Sequence, residues 1–507
     1  MKRNLLFSCC IFICCLQNLN ADNPNIVVVL ADDLGYGDVQ PLNSDSKIET
    51  PNFNRLAKTG MTFTDAHSPS AVCTPTRYGL MCGRYCWRTS LKRGVLGGYS
   101  KPLINLERQT IATVLKSAGY RTGCVGKWHL GLGWQWHDEP KDTNKIGIAG
   151  NKSLAVDYEK PLTHGPNTLG FDFSYIIPAS LDMSPYVYVR NHKVTAIPDR
   201  LIDGEKFPGF YRKGVIADDF EIEGVLDRLT ERACQFIADS KSDQPFFLYF
   251  PLSAPHKPVS PHERFKGKTK LGPYGDFVTQ VDWTVGEIMK ALDEKKVADN
   301  TLLIVTSDNG SFMNRINDKT VDHSQDFKVH GYNPANHKPN GILRGTKADI
   351  WEAGHRVPFF ARWPSKIKPD SICHETVCHT DILATAADVV KQTFDQNSAE
   401  DSFSFLKLLQ GETRERPAVI HHSIGGMFAI RSGNWKLVMG NGSGGRQKPK
   451  GKPFEGPFHL FDLSNDLSEK NNLIESMPTA SNRMFKEFVQ LSHKGGPLGK
   501  ATDSKQP

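Results

Sequence analysis

A cysteine at the start of a potential helix is the first candidate for chemistry in this 507-residue sequence, in the segment Cys73-Thr74-Pro75-Thr76-Arg77. Thr74 fits an N-cap and Pro75 fits the first helical position, so Cys73 is predicted to lie just before a helix N-terminus, which favours negative charge. Arg77 adds a fixed cation for oxyanions. These residues alone allow a nucleophile beside an anion pocket or a buried structural cysteine, and by themselves they favour the second.

Four apolar segments elsewhere in the chain each lead into a polar cluster. The segments and their clusters are 25–30 with Asp32 and Asp33, 121–125 with Lys127 and His129, 246–250 with His256, and 301–307 with Asp308 and Asn309. Helical patterns alternate with these segments, which predicts an α/β fold with a large, mostly parallel sheet flanked by helices. The carboxyl ends of parallel strands meet at one edge, where such folds bind ligands. One cluster alone fits a solvated turn, but four together indicate a site.

The pattern changes beyond about residue 400. Short strands separated by turns, followed by a helical segment near residues 482–492, predict a smaller C-terminal antiparallel sheet with one helix. We therefore expect an α/β catalytic domain over residues 22–400, a C-terminal α+β subdomain over 401–495 and a disordered tail over 496–507.

The first 21 residues have the pattern of an export signal: Lys2-Arg3, a short apolar core, and a small-residue cleavage site at Asn20-Ala21. The mature protein is predicted to begin near Asp22, to be periplasmic or extracellular, and to have no transmembrane helix. A lipid anchor through Cys14 or Cys15 stays open.

Cysteine count and charge add two constraints. Seven cysteines remain after residue 22, and an odd number in an exported protein leaves at least one thiol without an internal partner. Pairing of Cys373 with Cys378 stays open. The net charge of +7 is modest for this length, and the basic residues are mixed with acidic ones, so nucleic acid is not an expected partner. A mildly positive protein does suit an anionic substrate.

Taken together, these motifs resemble the type I, formylglycine-dependent sulfatases (the arylsulfatase family) of the alkaline phosphatase superfamily. The segment from Cys73 to Arg77 fits their C-x-P-x-R signature. The other matching blocks are 24–38, 126–129, 307–310, 345–358 and 429–437. One departure is Met81-Cys82-Gly83, which stands where Leu-Thr-Gly is usual and concerns helix packing rather than chemistry.

The resemblance implies a modified residue. A separate maturation enzyme would oxidise Cys73 to Cα-formylglycine, which would account for the unpartnered thiol. The hydrate of formylglycine supplies one hydroxyl to attack sulfur and a second to expel the sulfate.

The resemblance also implies a metal and a set of roles. An all-oxygen ligand set of Asp32, Asp33, Asp308 and Asn309 would hold Ca²⁺. Arg77 and Lys127 would hold the diol and neutralise developing charge. His129 would deprotonate the second hydroxyl, while His256 and Lys347 would contact the sulfate, with His256 as the acid for the leaving alcohol.

The implied function is an exported sulfatase acting on a sulfated carbohydrate with a galactose-type sugar, from a glycosaminoglycan, a mucin or an algal polysaccharide. Asp182 and His355 are candidate substrate contacts, although a packing role is an equal alternative for each. Two rival functions remain: a phosphonate monoester or phosphodiester hydrolase of the same superfamily, and an inactive glycan-binding relative.

Overall fold

The computed structural model describes residues 23–139, 155–205, 210–313, 337–395 and 397–493. The predicted signal peptide (1–21) and tail (496–507) lie outside the described residues, so both stay predictions. Within the described ranges, no helix combines the length and the apolar character needed to cross a membrane.

The elements alternate as expected for an α/β fold. The strands are β1 Asn25–Asp32, β2 Met61–Phe63, β3 Ala66–His67, β4 Arg121–Lys127, β5 Phe173–Ile177, β6 Val189–Arg190, β7 Lys193–Val194, β8 Arg200–Ile202, β9 Gly214–Ile216, β10 Phe246–Pro255, β11 Thr301–Ser307, β12 Phe359–Arg362, β13 Ser371–Cys373, β14 Val377–Cys378, β15 Val419–His422, β16 Phe428–Ser432, β17 Trp435–Met439 and β18 His459–Asp462. The α-helices are α1 Pro51–Thr59, α2 Cys73–Cys82, α3 Ile111–Ser117, α4 Val225–Ala238, α5 Gly272–Glu294, α6 Glu352–His355, α7 Asp381–Val389, α8 Leu406–Leu409 and α9 Pro478–His493.

The main sheet has ten strands among the described residues, in the order β13-β2-β12-β11-β1-β10-β4-β5-β6-β7. Its five central strands, from β11 to β5, are mutually parallel. Antiparallel pairings occur on both sides of this centre. The predicted fold class is thus confirmed, and the four polar clusters of the sequence follow strands whose carboxyl ends meet at one edge.

Strand β1 shows why this sheet must be covered on both faces. Ile26, Val28 and Leu30 belong to one core, and the alternate residues Val27 and Val29 belong to the other. Successive side chains of a strand point to opposite faces, so a continuous apolar run buries both. Helices α1, α4 and α5 contribute to the second core, whereas α2, α3 and α7 contribute to the first.

The C-terminal strands form the predicted antiparallel sheet, in the order β15-β16-β17-β18. Helix α9 packs Met484 and Phe488 on one face of it, together with Trp87 of the larger domain. The opposite face covers Ile350 and Trp351, which precede α6. The small sheet is therefore buried on both sides. The predicted boundary at residue 400 stays a prediction.

A buried ion cluster joins the small sheet to the large domain. Lys436 of β17 is fully buried, with its Nζ 3.0 Å from Glu352 Oε1 and 2.8 Å from Glu469 Oε1. Glu352 opens α6, so this single ammonium holds a strand of one sheet to a helix of the other domain. Lys436 compensates the charge of both buried carboxylates, and Glu352 is also paired with Arg356 at 3.4 Å.

We expect Lys436→Met to lower the free energy of unfolding by roughly 3–5 kcal/mol, because removal of one partner leaves buried charge uncompensated. Urea titration monitored by tryptophan fluorescence measures this loss. Lys452→Met is the matched control, since Lys452 is exposed and pairs with Glu455, itself exposed, at 3.2 Å. Its effect should stay within about 0.5 kcal/mol. Similar losses for both variants would contradict the proposed importance of the buried cluster.

All seven cysteines among the described residues are free thiols. Cys373 and Cys378 are therefore unpaired, and Cys73 is one of several buried thiols rather than the single unpartnered one. Cys73 differs from the other six cysteines in the charged side chains that lie around it, which are described below.

Candidate active site

Helix α2 begins at Cys73 itself, with Val72 in the N-cap position. The prediction that Thr74 caps this helix is wrong. The Thr74 hydroxyl instead donates to the carbonyl of His129 at 3.0 Å and accepts from the N–H of Leu96 at 3.2 Å. These tertiary bonds fasten the start of the helix to the loop after β4, which brings Cys73 to the edge where the polar clusters meet.

Burial raises the pKa of the Cys73 thiol above its usual value, although Lys127 and Lys347 oppose the shift. The side chain is almost entirely enclosed, so desolvation of a thiolate outweighs the nearby cations. The unmodified residue is therefore a neutral thiol, and a helix start alone does not make it a nucleophile.

Four oxygen-bearing side chains converge beside Cys73: Asp32 at the end of β1, Asp33 directly after it, and Asp308 and Asn309 after β11. All four are fully buried. Asn309 Nδ2 donates to Asp33 Oδ1 at 2.6 Å, and the Asp33 N–H donates to Asp308 Oδ1 at 3.2 Å. Cys73 Sγ and carboxylate oxygens of Asp32 and Asp308 all lie within 4.8 Å of one another. The structure thus brings the four predicted metal ligands and Cys73 together.

The donor chemistry of this cluster fits a hard cation. Asp32 Oδ1 and Asn309 Oδ1 are buried and have no hydrogen-bond partner. Burial, with repulsion from Asp32, raises the pKa of Asp308 to about 7 although Arg77 opposes the shift. Burying oxygens without hydrogen-bond partners is unfavourable, and so is ionising the buried Asp308 carboxyl. A bound cation would contact these oxygens and favour the ionised carboxylate. Oxygen-only donors select Ca²⁺ or Mg²⁺ over softer metals.

Three buried cations surround the same oxygens. Arg77 donates from Nη2 to Asp308 Oδ2 at 2.7 Å and from Nη1 to the carbonyl of Lys127 at 2.8 Å. Lys127 Nζ lies 2.6 Å from Asp32 Oδ2. Lys347 Nζ lies 2.6 Å from Asp33 Oδ1. Burial would raise the pKa of Asp32, but Lys127 and the other cations hold it well below its usual value. An anion entering the site would meet these fixed positive charges.

The two predicted catalytic histidines are both kept neutral. Burial, reinforced by Lys127, holds the pKa of His129 well below its usual value, and its Nε2 lies 2.7 Å from the carbonyl of Leu96. The other nitrogen, Nδ1, is buried without a partner. Burial and Lys347 hold the pKa of His256 well below its usual value, and its Nε2 lies 3.7 Å from Asp33 Oδ2. A neutral imidazole can accept a proton directly, but it can donate one as a general acid only after it has itself been protonated.

Two residues at this edge have a strained backbone conformation. Asp33 and His129 have φ values of 69° and 57°, in the left-handed region that non-glycine residues rarely adopt. Gly126, in β4, has φ 130°, and a Cβ there would lie 1.9 Å from the carbonyl oxygen of Pro251. Strain of this kind persists where the surrounding packing imposes it, typically at functional sites.

Ser180 is a site residue that the sequence interpretation missed. Its Oγ accepts from Lys127 Nζ at 3.2 Å and lies 3.2 Å from His256 Nδ1. Ser180 follows β5, which is parallel to β4. It therefore lies at the same edge of the sheet as the four recognised clusters, which also follow the carboxyl ends of parallel strands. The sequence does contain this signal, a polar residue after a strand. The strand pattern of β5 is weak, however, so Ser180 was not recognised as a site residue.

Hydrogen bonds around Asp38 connect the two loops that carry the carboxylates. Asp38 Oδ2 accepts from the N–H of Gly35 at 2.8 Å and from Tyr274 OH at 2.6 Å, and Tyr274 OH lies 2.7 Å from Ser311 Oγ. His337 Nε2 lies 2.9 Å from Asp38 Oδ1. One carboxylate thus links the loop after β1 to the loop after β11.

The two residues predicted to contact the substrate, Asp182 and His355, lie in different surroundings. Asp182 is two residues beyond Ser180, is buried, and forms an ion pair with Arg212. His355 is fully buried in a separate cluster, where its Nδ1 lies 3.0 Å from His67 Nδ1 and its Nε2 lies 3.1 Å from Lys436 Nζ. The geometry favours the packing alternative for His355 and keeps Asp182 beside the site. Substrate contact stays a prediction for both.

Known proteins share this architecture. The sulfatase family model matches residues 24–392. The chain is 35% identical to the N-acetylgalactosamine-6-O-sulfatase of Bacteroides thetaiotaomicron, covering 90% of this chain and 91% of that one. It is 29% identical to human arylsulfatase A, with 92% and 87% covered.

Comparison with solved structures agrees. A structure from Bacteroides thetaiotaomicron, described under that organism's metabolism of multiple glycosaminoglycans, matches with a TM-score of 0.78 at 32% identity, covering 93% of this chain and 99% of that one. The protein therefore belongs to the sulfatase family and is a sulfuric ester hydrolase.

Proposed function

We propose that the protein is an exported, formylglycine-dependent sulfatase that binds Ca²⁺ and removes sulfate from a galactose-type sugar of a sulfated glycan. The observation that carries this proposal is the proximity of Cys73 Sγ to carboxylate oxygens of Asp32 and Asp308. A residue buried among a cation site and three fixed cations has the surroundings of a nucleophile for an anionic ester.

The proposed cofactors have defined places. Asp32, Asp33, Asp308 and Asn309 would hold Ca²⁺, which lowers the pKa of an adjacent hydroxyl and attracts sulfate oxygens. Formylglycine at residue 73, made by a separate maturation enzyme, would supply the attacking hydroxyl as its hydrate. The neutral thiol of unmodified Cys73 supports this requirement for modification, because a protonated thiol is a weak nucleophile.

The remaining roles belong to side chains of this chain. Arg77 and Lys127 would hold residue 73 and compensate charge that develops on the sulfate oxygens. His129, whose Nδ1 has no partner, would accept a proton from residue 73. Lys347 would contact the sulfate. His256, positioned by Ser180, would take up a proton as the anionic ester enters the site and then donate it to the departing alcohol oxygen.

The galactose-type assignment rests on the similarity to an N-acetylgalactosamine-6-O-sulfatase. It is tested by sulfate release from N-acetylgalactosamine 6-sulfate, N-acetylgalactosamine 4-sulfate, galactose 6-sulfate and glucosamine 6-sulfate, using protein co-expressed with a formylglycine-generating enzyme. We expect the galactose-type 6-sulfates to be preferred. Preference for the glucosamine ester would reject the sugar assignment, and faster turnover of nitrophenyl phosphate esters than of nitrophenyl sulfate would reject sulfate-ester hydrolysis as the main activity.

His256→Ala should lower kcat by ~10²–10⁴-fold on a sugar sulfate, because the alkoxide leaving group needs a proton. On nitrophenyl sulfate, whose leaving group is stable as an anion, the loss should be much smaller. Steady-state kinetics on the two esters measure this difference. His262→Ala is the control, since His262 belongs to the same connection after β10 but is partly exposed and near Asp227. Equal losses on both esters would contradict the acid role.

A further inference from the structure

Lys257 has no assigned role, although it directly follows His256. Its ammonium lies 3.6 Å from the centre of the Phe210 ring. Among the residues that the structure describes, no carboxylate lies within ion-pair distance of Lys257. Its side chain is half-buried, and a partly desolvated cation without a counter-charge is costly unless a ligand supplies one.

The neighbours of Lys257 form a basic cluster that includes Arg212 and Lys347. Arg212 is held by the ion pair with Asp182, and its Cζ lies 5.6 Å from the same Phe210 ring. Asp182 Oδ1 is buried and has no hydrogen-bond partner. The ring of Phe210 thus lies against two cations. Among the residues that the structure describes, only Arg212 of these two is paired with a carboxylate, so the cluster retains positive charge.

Four charged side chains near Lys257 act on its ammonium. Burial lowers the pKa of the Lys257 ammonium to about 8, and Asp182 opposes this shift. Three cations add to it: Arg446, Lys347 and Arg212. Since Lys347 also contacts Asp33 of the proposed metal site, the surroundings of Lys257 are continuous with the place where the sulfate ester would lie.

We propose that Lys257, supported by Arg212, binds a second anionic group of the glycan, so that the enzyme selects substrates carrying a negative charge in addition to the sulfate that it removes. This inference rests on the proposed function. The second anion is a carboxylate of a neighbouring uronic acid or a second sulfate on the same sugar. Either would complete the charge balance of Lys257 with a charge-assisted hydrogen bond.

The experiment compares kcat/KM on four substrates, using matured wild-type protein and Lys257→Met. They are N-acetylgalactosamine 6-sulfate, its disaccharide with uronic acid, the same disaccharide with the carboxylate reduced to an alcohol, and N-acetylgalactosamine 4,6-disulfate. We expect wild type to favour a doubly anionic substrate, and Lys257→Met to lower kcat/KM on it by on the order of 10–100-fold. The neutral-partner substrates should change by about twofold or less.

The substrate on which Lys257→Met loses kcat/KM distinguishes the two possible anions. Loss on the uronic acid disaccharide alone identifies a carboxylate, and loss on the disulfated sugar alone identifies a second sulfate. Lys257→Arg keeps the charge and should retain most of the preference. Lys290→Met, which removes an exposed lysine of α5, is the matched control and should change nothing.

The preference should also depend on pH. Lys257 is charged below its pKa of about 8, so the advantage of the doubly anionic substrate in kcat/KM should be present near pH 7 and decline as pH rises through about 8. In Lys257→Met this decline should be absent.

Failure of the inference differs from failure of the proposed function. Equal losses on all substrates, or no loss on any, would overturn the role of Lys257 while leaving wild-type sulfate release intact. If wild type releases sulfate from none of these sugars, the proposed function fails and the inference fails with it.

Discussion

Cys73→Ser should be folded but inactive, with kcat lowered on the order of 10⁴-fold or more, in a host that lacks an enzyme able to modify serine. A serine hydroxyl can form a sulfate ester, but it has no second hydroxyl to release the sulfate. The measurement is sulfate release over many turnovers, together with mass spectrometry of the peptide that contains residue 73.

The fold should survive this change, because sulfur is replaced by oxygen in a site that already holds polar groups. The free energy of unfolding should change by about 1 kcal/mol or less. Cys86→Ser is the matched control: Cys86 is also buried, but its Sγ lies near Thr89 and outside the site. Full turnover by Cys73→Ser, or inactivity of Cys86→Ser in folded protein, would contradict the nucleophile assignment.

Removal of the proposed cation should have the second largest effect. Dialysis against a chelator is expected to lower kcat by at least ~10²-fold, because Ca²⁺ would supply several kcal/mol of charge stabilisation to the reaction. Cation at 100 times its Kd should also stabilise the folded protein by about 2.7 kcal/mol. Thermal unfolding with and without added Ca²⁺ measures this second effect independently of activity.

Asp33→Asn tests the same site through one ligand. It removes one negative charge from the ligand set and the counter-charge of Lys347, so Ca²⁺ should raise the unfolding temperature less than in wild type. Asp45→Asn is the control, since Asp45 is exposed and lies in the loop after the same strand. A chelator-treated wild-type protein with full activity, or equal Ca²⁺ stabilisation of Asp33→Asn and wild type, would contradict the proposed ligand set.

Local sequence signals predicted much of this protein. The apolar run of β1 is long enough to indicate a strand buried on both faces, and Asp32-Asp33 at its end indicated a site. The same rule applied to β4, β10 and β11, and the C-x-P-x-R segment then connected the clusters to one family. Each of these features lies within a few residues along the chain, which is why sequence alone could reveal it.

Other features depend on contacts between distant segments. Ser180 meets Lys127 and His256 only because β5 joins the sheet beside β4. The neutral state of Cys73 follows from burial, which its own helix does not determine. Sequence patterns therefore could indicate candidate residues for the chemistry but not the protonation state of each one.

The residue types, the strand order along the chain and the family were determined by sequence alone, since they depend on patterns within short segments. Only the tertiary structure decided that His355 is enclosed with His67 and Lys436, and that Lys257 lies on Phe210 without a carboxylate partner among the described residues. Burial and charge compensation are sums over neighbours far apart in the chain, so they exist only once the sheet, its helices and its loops have packed.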